Sequence, residues 1–198
     1  MKKPTLFIWE GAQGVGKTTL ANLTRELISY TVVIRLTGVN DGTVAGAKKV
    51  YTMHKGAFNY IKECVDTDLN FSLDRSFLTE FCYCKVGYKP YDFKDEYFKL
   101  LEQLVDLSNF YNIKLVLLTA PAYALAERLE REKSEYLDLK FNVTNSINQQ
   151  NAYIKIMEDI SRHANSLIKY KLALPPLQVY AIDTTIYTPN QIIKHITL

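Results

Sequence analysis

The octapeptide GAQGVGKT, residues 11–18, decides how the rest of the chain is interpreted. It matches the pattern G-x-x-x-x-G-K-[ST] at every fixed position. A short apolar run, Thr5–Trp9, precedes it, and Thr18–Tyr30, which has apolar residues at helical spacing, follows it. The octapeptide therefore joins a predicted buried strand to a predicted helix. Glycines in such a turn let backbone N–H groups face an anion, and the helix N-terminus adds partial positive charge, so we predict a phosphate-binding cradle.

The side chains of the cradle predict which ligands it binds. The Lys17 ammonium is expected to reach the β- and γ-phosphates of a nucleoside triphosphate, and the Thr18 hydroxyl is expected to hold Mg²⁺. ATP and Mg²⁺ are therefore the expected cofactors. The cradle residues predicted to bind them are consecutive: Gly11, Ala12, Gln13, Gly14, Val15, Gly16, Lys17, Thr18 and Thr19.

Composition and charge narrow the class of protein. A length of 198 residues predicts a single domain, and 47% hydrophobic with 23% charged residues is ordinary for a globular protein. The net charge of +3 is too small to predict a nucleic-acid coat, but it suits a protein that handles small anions. Apolar runs are too short to span a membrane, and three cysteines without a secretory signal fit a reducing compartment. We therefore expect a cytoplasmic protein.

Short apolar runs alternate with longer amphipathic runs along the chain. The predicted strands are Thr5–Trp9, Val32–Leu36, Leu69–Leu73, Lys114–Thr119 and Leu177–Ile182. The predicted helices are Thr18–Tyr30, Val44–Val65, Phe77–Val86, Lys94–Tyr111, Ala122–Lys133, Gln149–Tyr170 and Pro189–Ile196. This alternation predicts an α/β fold, a doubly wound, five-stranded parallel sheet covered on both faces. The polar stretch Lys133–Ser146 interrupts it and is predicted to form a small lid.

Charged residues follow the third and fourth predicted strands. Ligands bind at the carboxyl ends of strands in an open α/β sheet, so Asp74 and Arg75 are expected beside the cradle. The carboxylate can orient Mg²⁺ or an acceptor hydroxyl, and the arginine can bind a phosphate bidentately. Arg128 and Arg131 share one face of the next helix and are expected to act on the transferring phosphoryl group. The alternative for that helix is a solvated surface with ion pairs.

Five stretches, in this order, resemble the thymidylate kinase branch of the P-loop nucleoside and nucleotide kinases. They are IWEGAQGVGKTT (residues 8–19), RLTGVNDGTVAG (35–46), LDRSFLTEFCY (73–83), LTAPAYALAERLERE (118–132) and YAIDTT (180–185). The first resembles the family pattern F-E-G-x-D-G-x-G-K-T-T, and the third resembles D-R-Y-x-x-S-x-x-A-Y. The resemblance covers nearly the whole chain, and it implies a kinase that acts on a small nucleotide or nucleoside. It leaves a homodimer open.

The resemblance also implies roles for individual residues. Arg35 becomes a candidate for the acceptor phosphate, and Tyr51 and Phe58 become candidate walls for the acceptor base. Lys55 stands where the family has an arginine, and Arg75 is expected between the two phosphates. The implied acceptor-binding residues are Glu10, Gln13, Arg35, Tyr51, Lys55, Phe58, Arg75, Thr79 and Tyr83. The implied catalytic residues are Lys17, Asp74, Arg75, Arg128 and Arg131, the metal ligands are Thr18 and Asp74, and Asp183 is expected beside adenine.

The sequence differs from the family pattern at positions that are expected to recognise the acceptor. Gln13 replaces an acidic residue of the cradle, and Cys84 replaces a glutamine. The stretch DRSFLTE also resembles the E-R-S-x-x-S-D of deoxynucleoside kinases, although their E-x-x-W stretch is missing and the only tryptophan is Trp9. A monophosphate acceptor already carries a nucleophilic oxygen and needs no strong base. The favoured acceptor is therefore a deoxynucleoside 5′-monophosphate, with dTMP first, and a nucleoside such as thymidine is the alternative.

Two further functions remain open at this stage. A kinase of nucleic-acid 5′ ends would need a basic groove with aromatic residues, and CKVGYKPYDFK (residues 84–94) is the one candidate, although nucleic acid is not the expected partner. A non-catalytic nucleotide-binding module would not need Lys17, Thr18 and Asp74 together.

Overall fold

Five parallel strands form the sheet on which the cradle is built. The computed structural model describes residues 3–36, 39, 41–131, 143–170 and 177–197, and it leaves out the side chains of 131 and 163–170. The strands are β1 (Thr5–Gly11), β2 (Thr31–Arg35), β3 (Asn70–Asp74), β4 (Asn112–Thr119) and β5 (Gln178–Asp183). Their order is β2-β3-β1-β4-β5, and every neighbouring pair is parallel. The predicted fold class is confirmed.

Helices connect the strands and cover the sheet. They are α1 (Lys17–Leu27), α2 (Val44–Glu63), α3 (Phe77–Lys85), α4 (Lys94–Leu107), α5 (Ala122–Arg131), α6 (Val143–Tyr170) and α7 (Pro189–Thr197), and a 3₁₀ turn follows α2 at Val65–Thr67. None of these helices is long and apolar enough to cross a membrane.

The start of α6 differs most from the prediction. The helix begins at Val143 rather than Gln149, so residues 143–146, which were assigned to the predicted lid, are helical. Residues 133–142 lie outside the described part of the chain. Ser146 and Gln149 are buried, and the Gln149 carbonyl accepts a hydrogen bond from the Cys82 thiol of α3. Packing against α3 stabilises a first turn that the polar sequence does not predict.

Alternate residues of β1 contribute to two separate cores. Leu6 and Ile8 pack into the core that includes residues of α2, α3, α4 and α6. Phe7 and Trp9 pack into the core on the opposite face, which includes residues of α1 and α7. Because both faces of β1 are buried, the strand is held rigidly at the centre of the sheet. The cradle that follows it begins from a fixed point.

A buried histidine in α2 makes stability depend on pH. His54 is enclosed, its ring packs edge-on against Phe77, and its Nδ1 atom has no hydrogen-bond partner among the described residues. Burial lowers the pKa of His54 to about 4, from an ordinary value of 6.5. The native state therefore binds a proton at His54 less readily than the unfolded chain does.

We expect the free energy of unfolding to fall by about 3 kcal/mol because of His54 as the pH is lowered from 6.5 to 4, and to level off below that range. The unfolded state gains a proton in this window and the native state does not. Urea unfolding at several pH values, with wild type and His54→Leu, measures the difference. His195→Gln, which removes an exposed histidine instead, serves as the control. If the free energy of unfolding depended on pH equally in wild type and His54→Leu, the lowered pKa of His54 would be contradicted.

Candidate active site

The cradle lies between the carboxyl end of β1 and the first residue of α1. Gly11 has φ 141°, and a Cβ added there would lie 2.4 Å from the Leu118 carbonyl oxygen of β4. Gly16 precedes α1 in the left-handed region, with φ 92°. Both positions exclude other residues on conformational grounds, and Gly11 does so on steric grounds as well. The glycines of the sequence pattern therefore have the structural role that it predicts.

Lys17 places its charge inside the cradle. The side chain is only 6% exposed, and its ammonium donates hydrogen bonds to the carbonyl oxygens of Gly11 at 2.8 Å and Ala12 at 2.6 Å. Backbone carbonyls carry only partial charge, so a phosphate oxygen is a stronger acceptor for the same ammonium. The position of Lys17 is suited to a transfer of its hydrogen bonds from the backbone to an incoming phosphate.

Thr18 in the first turn of α1 meets Asp74 at the carboxyl end of β3. The Thr18 hydroxyl donates to Asp74 Oδ2 at 2.6 Å, whereas Asp74 Oδ1 is buried and has no partner among the described residues. The described residues contain no cluster of three His, Cys, Asp or Glu side chains around a common point. Mg²⁺ commonly takes one or two protein oxygens and completes its shell with phosphates and water. The pair therefore fits Mg²⁺ through an oxygen-only donor set.

A buried carboxylate lies next to the cradle. Glu10 is 0% exposed, and its Oε1 accepts hydrogen bonds from the Ser76 N–H at 2.7 Å and the Ser76 hydroxyl at 2.6 Å. Its Oε2 accepts from the Thr79 hydroxyl at 2.8 Å, and the Tyr153 hydroxyl donates to Thr79 Oγ1 at 2.9 Å. Burial raises the pKa of Glu10, although the hydrogen bonds and the charge of Lys17 oppose the shift. These bonds fix the start of α3 to the end of β1.

Arg75 turns the chain from β3 into α3. Its φ of 77° lies in the left-handed region, a conformation that costs a non-glycine residue about 1–3 kcal/mol. Its N–H donates to the Trp9 carbonyl at 3.2 Å, and its Nη1 donates to the Tyr83 hydroxyl at 3.2 Å. The backbone is therefore held in an unfavourable conformation that directs the guanidinium toward Tyr83. Strain of this kind is commonly found at functional sites.

Arg35 lies at the end of β2, directly across from Asp74 in the sheet register. Its Nε atom is 3.9 Å from Asp74 Oδ2, and its Nη2 donates to the Asn22 side chain at 2.9 Å. The side chain is 53% exposed, so the ion pair with Asp74 is weak. The guanidinium is accessible to an anion at this edge of the sheet.

The predicted walls of the acceptor base occupy different environments. Tyr51 is partly buried on α2, and the Lys55 ammonium lies 6.0 Å from the centre of its ring. Phe58 is 2% exposed and packs edge-on against Phe77 in the core. Because the core encloses Phe58, its ring presents no exposed face to a base, and its role as a wall stays a prediction. Tyr51 remains a candidate wall.

A cavity of about 330 Å³ adjoins the outer side of the cradle. Arg128 spans it, since its Nη1 donates to Thr184 Oγ1 at 2.7 Å and its Nη2 donates to the Thr184 carbonyl at 3.1 Å. The Arg128 Nη1 is also 3.4 Å from the Gly14 carbonyl. Polar and apolar groups line the cavity in similar proportion: Gly14, Val15, Gly16, Thr19, Leu20, Arg128, Thr184, Tyr187, Pro189 and Ile192. Its size and lining suit the base of a phosphate donor.

Asp183 and Arg131 are two further residues that the sequence predicted to act near the phosphate donor. The Asp183 carboxylate accepts hydrogen bonds from the N–H and the hydroxyl of Thr185, so it stabilises the turn after β5, and it is absent from the described cavity lining. The Arg131 side chain lies outside the described part of the structure. Arg128 is bonded to Thr184 and lies close to the Gly14 carbonyl, and its action on the transferring phosphoryl group stays a prediction.

Solved structures with a similar fold match almost the full length of this chain. The YorR protein of Bacillus subtilis, solved with phosphorylated GDP, matches with a TM-score of 0.63 and 19% identity over 98% of this chain and 94% of its own. Thymidylate kinase of Candida albicans matches with a TM-score of 0.56 and 13% identity, over 98% and 90%. The chain has a P-loop kinase fold. Deoxyadenosine kinase of M. mycoides, solved with its products dCMP and dCDP, has a TM-score of 0.55 and 14% identity, over 98% and 97%.

The sequence matches no family model and no curated protein, so the P-loop kinase fold is recognised through structure. The resemblance to thymidylate kinases drawn from short motifs is confirmed at the level of the fold. At these identities, the comparison leaves the substrate open.

Several residues of the site escape prediction from the sequence. Ser76 and Tyr153 complete the hydrogen bonds around Glu10 and Thr79, and Thr184 and Tyr187 line the donor cavity. The position of Ser76 after Arg75, at the start of a predicted helix, was the one available signal, because serine is a common N-cap. The others lie on α6 or after β5, far from the cradle in sequence.

Proposed function

We propose that this protein transfers the γ-phosphoryl group of ATP to a deoxynucleoside 5′-monophosphate, with dTMP as the first candidate. The observation that carries the proposal is the pair of Thr18 and Asp74, 2.6 Å apart, with a second Asp74 oxygen buried and unpartnered. Such an oxygen pair at the mouth of a phosphate cradle is what a Mg²⁺-nucleotide complex requires. A binding module without catalysis would not need Lys17 inside the same loop.

The residues of the chain act mainly by positioning and charge neutralisation. Mg²⁺, when bound, supplies positive charge at the phosphate oxygens. Thr18 and Asp74 would hold it, and the N–H groups of the cradle would hold the donor phosphates. Lys17 would exchange its bonds to the Gly11 and Ala12 carbonyls for bonds to phosphate oxygens. The acceptor oxygen would attack the γ-phosphorus in line, the bond from the γ-phosphorus to the bridging oxygen of ATP would break, and ADP would leave.

Two arginines at neighbouring strand ends support a monophosphate acceptor. Arg35 ends β2 and is in register with Asp74, and Arg75 is the residue that follows Asp74 at the end of β3. An acceptor dianion must be neutralised before a second polyphosphate approaches it in a partly desolvated cleft. Guanidinium groups neutralise phosphate through paired, charge-assisted hydrogen bonds. A nucleoside acceptor would carry no charge for Arg35 to bind.

Glu10 favours a second candidate, a deoxynucleoside kinase acting on a compound such as thymidine. A hydroxyl acceptor benefits from a carboxylate that removes its proton, and a raised pKa makes that transfer easier. The pKa of Glu10 is raised by burial, and its Oε2 accepts one described hydrogen bond, so it has capacity for another. Solved structures of both a nucleotide kinase and a nucleoside kinase share the fold.

The two candidates are separated by the variants Arg35→Ala and Glu10→Gln. If the acceptor is a monophosphate, Arg35→Ala should lower kcat/KM for dTMP by about 10- to 100-fold, because one or more charge-assisted bonds are lost. Thymidine phosphorylation should change little. ADP release is measured with each nucleoside and its 5′-monophosphate, with Arg25→Ala on the exposed face of α1 as the control. Preference of wild type for thymidine, with activity that depends on Glu10 and not on Arg35, would replace the first candidate by the second.

The segment of residues 84–94 does not favour a kinase of nucleic-acid ends. Two of its three aromatic side chains, Tyr91 and Phe93, are buried in the core, where a nucleobase has no access to their faces, and Tyr88 is partly buried against Tyr83. Lys89 is also mostly buried and bonded to the protein. A basic groove with exposed aromatic rings would be needed to track a single strand.

A further inference from the structure

A buried carboxylate on α3 is linked to the loop between α3 and α4. Glu80 is 2% exposed, and its Oε1 accepts a hydrogen bond from the Tyr91 hydroxyl. The Lys89 ammonium lies 3.6 Å from the same oxygen, and the Lys89 side chain is 15% exposed. It also lies 5.9 Å from the centre of the Tyr91 ring. The three side chains form one enclosed polar cluster, Glu80–Lys89–Tyr91.

Lys89 connects this cluster to the chain that leaves β2. Its ammonium donates a 2.9 Å hydrogen bond to the carbonyl oxygen of Val39. Val39 lies in the connection between β2 and α2, shortly after Arg35. The same two loops are adjacent at a second point, because a Cβ added at Gly42 would lie 3.6 Å from the Pro90 Cγ. The ammonium therefore joins the α3–α4 loop to the β2–α2 connection.

The chemistry of the cluster explains why a lysine serves this role. A hydrogen bond from an ammonium to a carbonyl is stronger than one between neutral groups. Burying that ammonium is unfavourable unless a carboxylate is close, and Glu80 supplies the carboxylate. Tyr91 fixes the position of the carboxylate in turn. A buried ion pair contributes little net stability compared with apolar packing, so its benefit here is the position of Val39.

We propose that Lys89 is a positioning residue that fixes the β2–α2 connection at Val39 and thereby sets Arg35 for the acceptor. Lys89 contacts the backbone of the connection and is not placed against the acceptor itself. The inference rests on the proposed function for its kinetic consequence. Its structural part, that Lys89 restrains the connection, stands on the contacts of Lys89 with Val39 and Glu80.

The test uses Lys89→Met, which keeps the length of the side chain and removes its charge. Hydrogen–deuterium exchange of peptides covering residues 36–46 should become about 10-fold faster, because the restraint at Val39 is lost. Exchange of β1 and α1 should stay as in wild type. Lys85→Met is the matched control, since Lys85 is an exposed lysine near the end of α3 whose ammonium lies 5.0 Å from the Phe81 ring centre.

Steady-state kinetics distinguishes positioning from a general loss of stability. Lys89→Met should raise KM for the acceptor about 10-fold while KM for ATP changes less than about twofold. Lys89→Arg keeps the charge and the donors, so it should restore most of the acceptor affinity. If Lys89→Met fails to fold, Glu80→Gln provides the milder variant, because the amide still accepts from Tyr91 but no longer balances the ammonium.

Two results would overturn the inference. Exchange of residues 36–46 that is equal in Lys89→Met, Lys85→Met and wild type would show that Lys89 does not restrain the connection. Equal rises in KM for ATP and for the acceptor would show that it does not act on the acceptor side. A wild-type protein with no phosphoryl transfer to any acceptor would instead reject the proposed function, and the exchange measurement would still decide whether Lys89 fixes Val39.

Discussion

Replacing Lys17 by alanine is expected to lower turnover by about 10²–10³-fold, the effect typical of removing one preorganised charge donor from a transition state. The ammonium lies within the cradle at 2.6–2.8 Å from two backbone carbonyls, so it is positioned before the donor binds. The charge that develops on the transferring phosphoryl oxygens would lose its nearest protein cation. The fold should persist, because backbone geometry and the core around β1 form the cradle.

The measurement for Lys17→Ala is kcat from coupled ADP release, together with thermal unfolding. Lys48→Ala removes a lysine from the exposed surface of α2 and should leave kcat unchanged. Near-normal turnover in a folded Lys17→Ala protein would show that the cradle does not work on the γ-phosphate.

The variant Asp74→Asn is expected to reduce turnover by about 10²-fold and to raise the Mg²⁺ concentration required for half-maximal rate. Asp74 Oδ2 accepts from Thr18, and Oδ1 is the buried oxygen available for the metal. An amide has nearly the same shape but carries no charge, and it presents a donor NH₂ on one side. Binding of a monophosphate to Arg35 and Arg75 should survive, because their positive charges remain.

Titration of kcat with Mg²⁺ at saturating ATP measures the effect of Asp74→Asn, and calorimetric titration with dTMP measures acceptor binding. Asp159→Asn is the matched control, since Asp159 is 66% exposed and pairs with Arg162 on the surface of α6. An unchanged Mg²⁺ requirement would remove Asp74 from the metal site. Loss of dTMP binding in Asp74→Asn would mean that the carboxylate acts on the acceptor instead.

The cradle could be predicted residue by residue because its chemistry is local. A left-handed glycine, an ammonium on a long flexible stem and a hydroxyl at the helix start are all encoded within eight positions. The strands were also predictable, since buried parallel strands appear as short apolar runs. Asp74 and Arg75 followed from the rule that parallel strands place their carboxyl ends at one edge.

Other parts of the site depend on contacts between distant segments. Thr79 accepts a hydrogen bond from Tyr153, and Arg128 donates one to Thr184. The residues of each pair are far apart in the sequence, so no local pattern predicts that they meet. The early start of α6 and the burial of Phe58 have the same origin. Packing against α3 stabilises a polar helix turn, and the crossing of α2 with α4 encloses an aromatic residue that the family resemblance assigned to the acceptor.

The strand order has a consequence for how the protein is made in the cell. β1 leaves the ribosome first, yet its two neighbours are β3 and β4, and its register with β4 runs from Thr5 opposite Asn112 to Gly11 opposite Leu118. A nascent chain that ends before Asn112 therefore exposes one whole edge of an apolar strand. Unpaired edges of that kind recruit other chains, so the growing polypeptide is most prone to aggregation during this interval. Translation speed and chaperone supply between the synthesis of β1 and that of β4 should thus govern the yield of native protein more strongly than the same factors acting later.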